Sequence, residues 1–268
     1  MKTHVKISLI ISVAVICISL LSQSVIAADN KQKLRPGKTF YVEFPELGLP
    51  THDHPVMRMG VYIPTDYTPD KPFPLFVWFL GSAGGDWPGH AQRIVDGKGF
   101  ICVGLPYQKR LRDGNTFKGH WKSPWSHYKT MLDKLKTVVP NIDPDNHIAG
   151  GFSNGGKTIM WLLGNSNGEF QKYFYGFMPG GAGWPMGGLD TIKGRPMLVY
   201  TGSKEIRYDA LFSIFNQAKK AGVDAEFYVL KGLGHVDPPK EFCPRMREWM
   251  YKKIVRRNLK KQSDKENP

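Results

Sequence analysis

Unbroken apolar runs recur along the chain, separated by amphipathic stretches and by glycine and proline. Phe73 to Leu80 (FPLFVWFL) and Phe100 to Leu105 (FICVGL) contain no charged or polar side chain, the pattern of strands covered on both faces. Ahead of them, Thr39 to Phe44 (TFYVEF) and Met59 to Ile63 (MGVYI) are β-rich and flank a polar, proline-containing stretch, which predicts an antiparallel pair at the start of a sheet. Further strands are expected at His147 to Phe152, Tyr173 to Met178, Pro196 to Tyr200 and Ala225 to Leu230. Helical spacing covers Trp125 to Val139, where Pro140 stops it, Asn154 to Leu163 before Gly164-Asn165, Asp209 to Ala221 before Gly222, and Phe242 to Val255. Strands alternating with helices predict an α/β fold: a mostly parallel central sheet with helices on both faces.

The two ends fall outside this rhythm. Lys2 and Lys6 precede an apolar core from Ile7 to Leu21, and Val25-Ile26-Ala27 offers a small-residue cleavage site. Residues 1–27 therefore read as an export signal, which predicts a periplasmic or extracellular protein with no stable membrane span after cleavage. The competing reading is an uncleaved anchor, but the apolar core is short for a span. Residues 28–38 read as a flexible lead-in, 39–257 as one domain and 258–268 as a basic polar tail. The 268 residues suit one such domain better than two. An apolar fraction of 41% excludes wholesale disorder.

Charge adds a little. Loss of residues 1–27 removes two lysines and no acid, taking the formal net charge from +14 to +12. Such a surface could favour anionic partners, but no nucleic-acid-binding motif is present and much of the charge crowds the C-terminus from Lys252 to Lys261. Only Cys102 and Cys243 follow the signal. One disulfide between them is conceivable, and the sequence leaves it open.

The candidate chemistry starts at Gly151-Phe152-Ser153-Asn154-Gly155, a G-x-S-x-G between an expected strand and an expected helix. A sharp strand-to-helix turn exposes the serine hydroxyl, and the helix N-terminus faces the oxyanion that forms there. The plainer alternative is a serine that caps the helix. A serine nucleophile needs a base and an orienting acid. His235, in Gly232-Leu233-Gly234-His235, is the one histidine after Ser153, as the chain order serine, acid, histidine requires. Glu205, three residues past Gly202, is the first candidate for the acid. Asp209 is the alternative, with a competing role as a first-turn helix acid. The loop Gly81-Ser82-Ala83-Gly84-Gly85-Asp86 follows the first long buried strand, which makes the backbone N–H groups of Ser82 and Asn154 the expected oxyanion donors.

With these motifs the chain resembles the α/β-hydrolase superfamily. GFSNGG and GSAGGD are similar to the exported esterases that include polyhydroxybutyrate depolymerase-like, feruloyl and acetylxylan esterases. The resemblance implies an esterase working through an acyl-enzyme, without cofactor or metal. Two departures stand out: Leu80 where such enzymes carry histidine, and Glu205 where aspartate is usual. No segment between Ser153 and His235 is long enough for a large helical lid. Residues 107–125 and 180–188 could border the site instead. Trp121, Trp125 and Trp184 are candidate platforms for a sugar or aromatic acyl group, with buried packing as the alternative. Lys109, Arg110 and Arg112 could attract an acidic substrate or simply be solvated. The expected substrate is a glycan-linked, polyester or small ester. A serine peptidase of the same fold and a non-catalytic glycan-binding relative are the alternatives.

Overall fold

The computed structural model describes residues 34–48, 50–51, 53–110, 118–183 and 187–255. The expected export signal, the basic tail, Arg112 and Trp184 lie outside the described residues. The described residues from Arg35 to Val255 form one compact unit.

Eight strands make the central sheet. They are β1 (Thr39–Phe44), β2 (Met57–Tyr62), β3 (Phe73–Phe79), β4 (Ile101–Leu105), β7 (Ile142–Phe152), β8 (Gly176–Gly180), β9 (Pro196–Gly202) and β10 (Asp224–Leu230). Their order is β1-β2-β4-β3-β7-β8-β9-β10. The β1–β2 and β2–β4 pairs are antiparallel, and every pair from β4 to β10 is parallel. This is the α/β-hydrolase arrangement, with β1 and β2 as the expected antiparallel opening. All seven residues of β3 are buried, because its unbroken apolar run leaves no face for water.

Helices α1 (Gly89–Val95), α2 (Trp125–Val138), α3 (Asn154–Asn165), α4 (Glu169–Tyr173), α5 (Tyr208–Lys220) and α6 (Cys243–Met250) follow the strands. The amphipathic α5 turns Leu211, Ile214 and Ala218 inward, at the spacing of one helical face. Helix α6 packs Met246, Trp249 and Met250 into a core cluster with Phe76, Trp78 and Tyr200. Among the described residues no helix is long and apolar enough to cross a membrane.

Several boundaries differ from the sequence pattern. Tyr173 ends helix α4 rather than opening a strand, and β8 starts at Gly176. The apolar residues there serve a helix turn first: Phe170 and Phe174 are buried, 5.0 Å apart between ring centroids. The C-terminal helix spans the expected residues but changes type along its length, with a 3-10 turn before α6 and a π turn (Tyr251–Val255) after it. Helix α1 was not evident in the pattern, although Ala91, Ile94 and Val95 bury one face. A small antiparallel hairpin, β5 (Gln108–Arg110) with β6 (Lys118–His120), lies within the 107–125 stretch, at residues for which the pattern predicts no element. Cys102 and Cys243 are both buried free thiols, without a disulfide between them.

Candidate active site

Strand β7 runs straight into α3 at Ser153, whose φ of 54° and ψ of −116° lie outside the ordinary L-residue basins. A non-glycine residue there is strained, and the surrounding structure has to hold it. It does so through the Ser153 N–H, which donates to the Gly180 carbonyl at 2.8 Å, and through the Ser153 carbonyl, which accepts from the Lys157 N–H at 3.0 Å. The flanking glycines are a steric necessity. A Cβ on Gly155 would run into the Phe79 carbonyl, and one on Gly151 would lie 2.7 Å from the Gly155 carbonyl carbon. Helix and strand can approach this closely only without side chains.

His235 lies over the elbow. Its Nε2 is 2.9 Å from Ser153 Oγ, and its Nδ1 contacts Glu205 Oε2 in a short hydrogen bond. The Glu205 side chain is 1% exposed and that of His235 37%, so the acid is buried while the base faces the opening. The second carboxylate oxygen, Oε1, accepts from the Arg207 main-chain N–H at 3.2 Å. A carboxylate with both oxygens engaged cannot swing away from the imidazole. The two loops are tied together at their bases: the Lys204 N–H donates to the Leu233 carbonyl at 2.7 Å, and the Gly232 N–H donates to Ser203 Oγ at 2.8 Å. The Phe152 ring supports the imidazole from below, 4.6 Å between centroids. Asp209, the alternative acid, is exposed in the first turn of α5, and the contact with His235 belongs to Glu205.

On the other side of Ser153 stands the loop after β3. Gly81 packs against the serine: a Cβ there would be 3.3 Å from Ser153 Cβ. Ser82 follows with a φ of 52°. Its carbonyl accepts from Asn154 Nδ2 at 2.7 Å, so the residue after the serine holds the loop by its side chain. Asn154 is the first residue of α3, and its main-chain N–H has no intrahelical acceptor. Tyr107 braces the loop from behind. Its hydroxyl donates to the Leu80 carbonyl, and Gly84 packs against its ring. Leu80 thus fastens the loop through its carbonyl, in the position where a histidine was the expected residue. Sequence spacing carries no signal for Tyr107 beyond a tyrosine two residues past the end of the buried strand β4.

The candidate platforms separate. Trp121 is half-buried, and its carbonyl accepts from Thr158 Oγ1 on α3 at 2.9 Å. Trp125 is not a platform. It is 8% exposed and packs edge-on against Phe170 and Tyr173 at 5.5 and 5.8 Å, because its place at the start of α2 turns it into the core. Trp184 lies outside the described residues, as do the side chains of Lys109 and Arg110. Of the 180–188 stretch, Gly181 borders the site: a Cβ there would be 3.1 Å from His235 Cε1. Among the described residues no group of three or more His, Cys, Asp or Glu is placed to hold a metal ion.

Beneath the histidine loop, Asp237 and His90 meet at 3.5 Å, Nδ1 to Oδ2. Burial raises the Asp237 carboxyl to about 6, against the lowering influence of Arg93 and His235. Burial, and then Arg93, lower His90 to about 4.

No family model matches the chain. In sequence it is similar to acyl-protein thioesterase 1 homolog 1 of Dictyostelium discoideum, 25% identical over 211 residues that cover 67% of this chain and 90% of that protein. In structure it is similar to Thermogutta terrifontis esterase 2 phosphorylated by paraoxon, with a TM-score of 0.58, 15% identity, and coverage of 82% of this chain and 97% of that one. A thermostable esterase aligns with a TM-score of 0.55 and 18% identity over 81% of this chain, which spans 63% of that esterase. The fold of this chain is that of the α/β-hydrolases.

Proposed function

We propose that the protein is an exported serine hydrolase that cleaves carboxylic esters through an acyl-enzyme. The observation that carries this reading is His235, held between Ser153 Oγ at 2.9 Å and the buried Glu205 carboxylate, with the serine at a strained strand–helix turn.

In this mechanism Ser153 Oγ attacks the ester carbonyl while His235 Nε2 takes its proton. Glu205 keeps the other ring nitrogen protonated and stabilises the imidazolium. The N–H groups of Ser82 and Asn154 hold the oxyanion, a role suited to a helix N-terminus and a pinned loop. The imidazolium then protonates the leaving alcohol. A water deprotonated by His235 attacks the acyl-enzyme, and collapse returns Ser153 with release of the acid. The cycle uses side chains, backbone and water alone.

Trp121 supplies an aromatic surface near the site, in keeping with the exported esterases that act on glycan-linked or polymeric esters. A thioester substrate is the second reading, favoured by the similarity to an acyl-protein thioesterase; the same residues serve both. Turnover of matched acetyl and butyryl oxoesters and thioesters, beside acetylated xylan, feruloylated sugars, polyester and peptides, tests the choice. Oxoester hydrolysis lost in Ser153→Ala is the expected result. Peptide cleavage without ester cleavage overturns it. For export, the intact mass of protein recovered from the envelope or medium should begin near Ala28; a mass retaining residues 1–27 contradicts it.

A further inference from the structure

One side of the elbow carries two cations without an acid to match them. Lys157 lies one helical turn beyond Ser153 on α3. Its Nζ donates to Asn154 Oδ1 at 3.2 Å and stands 5.9 Å from the Trp121 ring centroid. Partial burial, and then the neighbouring Arg207 guanidinium, hold its ammonium below the ordinary lysine value. Arg207 follows the acid loop, its stem packed close to Gly183. Glu205 and Asp209 each lie two residues away in sequence; Glu205 binds only the Arg207 main-chain N–H and spends its other oxygen on His235, and Asp209 is exposed in the first turn of α5. Among the described residues, neither Lys157 nor the Arg207 guanidinium has a carboxylate within ion-pair distance. Lys122 Nζ adds a third positive charge, 5.2 Å from the other partner in this group, the Trp121 ring.

Two neighbouring like charges, the ammonium half-buried and the guanidinium on an exposed residue, raise each other's energy. Proteins ordinarily place a carboxylate between them. Here Lys157 is bonded to Asn154, the residue after the serine, and Arg207 to the acid Glu205 through its main chain, so a group brought in by the substrate would relieve the repulsion. The guanidinium fork suits an oxyanion with two coplanar or tetrahedral oxygens, and the ammonium suits it as a point charge.

Resting on the esterase reading above, we propose that Lys157 and Arg207 form an anion subsite, and that the preferred substrate is an ester whose acyl or alcohol part carries a carboxylate or sulfonate group. Trp121, flanked by Lys157 and Lys122, covers the apolar or sugar face of the same substrate.

The test compares kcat/KM for esters matched in shape and differing in charge. On the alcohol side, para-acetoxybenzoate and para-acetoxybenzenesulfonate are set against neutral para-acetoxybenzamide, which also separates carboxylate from sulfonate. On the acyl side, the mono-para-cresyl ester of adipic acid is set against the cresyl ester of adipamic acid. The anionic member of at least one pair should be favoured by about tenfold at low ionic strength, as expected for two partly exposed cations, and the preference should shrink in high salt. In Lys157→Met/Arg207→Gln the ratio should fall to near one, and each single variant should lie between. A wild-type ratio of one or less in every pair overturns the subsite while leaving the hydrolase reading standing. So does a preference that survives the double variant, which would trace to the basic surface as a whole. Absence of Ser153-dependent turnover of every ester, neutral ones included, removes the hydrolase reading and this inference with it.

Discussion

Asn154 donates its side-chain amide to the Ser82 carbonyl across 2.7 Å, which links the residue after the serine to the loop that faces it. The loop is thereby fixed from the front by Asn154 and from behind by the Tyr107 hydroxyl at Leu80. Preorganised donors stabilise charge without reorganising at the moment of reaction, so this link bears on kcat rather than on ground-state binding.

Asn154→Ala should lower kcat roughly tenfold or more with a smaller change in KM, less than the loss of an oxyanion donor outright. Asn154→Asp should be worse, since a carboxylate would face the Ser82 carbonyl. Steady-state kinetics on a small chromogenic ester separates the two constants. A pure KM effect in both variants would mean that the link holds substrate and not the loop.

Glu205→Gln keeps the shape of the acid and removes its charge, so kcat should fall on the order of 10²- to 10⁴-fold. Asp209→Asn should cost little, because Asp209 is exposed in the first turn of α5 and such an acid contributes roughly 0.3–1 kcal/mol. The same assay reads both. A crippled Asp209→Asn beside a nearly silent Glu205→Gln would reverse the assignment.

Most of the fold was legible because buried parallel strands need unbroken apolar runs, and those runs are bounded by glycine and proline. Phe73–Phe79 and Pro196–Gly202 could scarcely be anything else. Helix α1 and the β5–β6 hairpin were not legible. The first is short, and the second is polar and stabilised by pairing that no local pattern announces. Ser153 and His235 could be nominated because this fold fixes the order of serine, acid and histidine along the chain, while that order left both Glu205 and Asp209 open as the acid. Tyr107, Asn154 Nδ2 and the Lys157–Arg207 pair are relations between distant segments, and sequence spacing carries no signal for them. Trp125 shows the converse: an aromatic residue near the right segment, turned into the core by the helix it starts.

Asp237 gives a pH-dependent prediction. Its folded carboxyl titrates near 6 against an ordinary 3.8, so the fold holds the proton more tightly than the unfolded chain does. Ionisation therefore opposes folding: the cost is absent below about pH 4, grows as pH rises to about 6, and is constant above. Asp237→Asn should match the parent near pH 4 and exceed it by on the order of 3 kcal/mol at pH 7. Urea unfolding at the two pH values measures the difference. A variant less stable than the parent at pH 7 would show instead that the ionised carboxylate supports the histidine loop.

The central claim is that Ser153 is the nucleophile, and covalent labelling tests it most directly. After treatment with a fluorophosphonate, proteolysis and mass spectrometry should find the adduct on Ser153 at one per chain. Ester turnover should disappear in step with labelling, and Ser153→Ala should take up no label. An adduct on a different serine, or turnover that persists in fully labelled protein, would contradict the account.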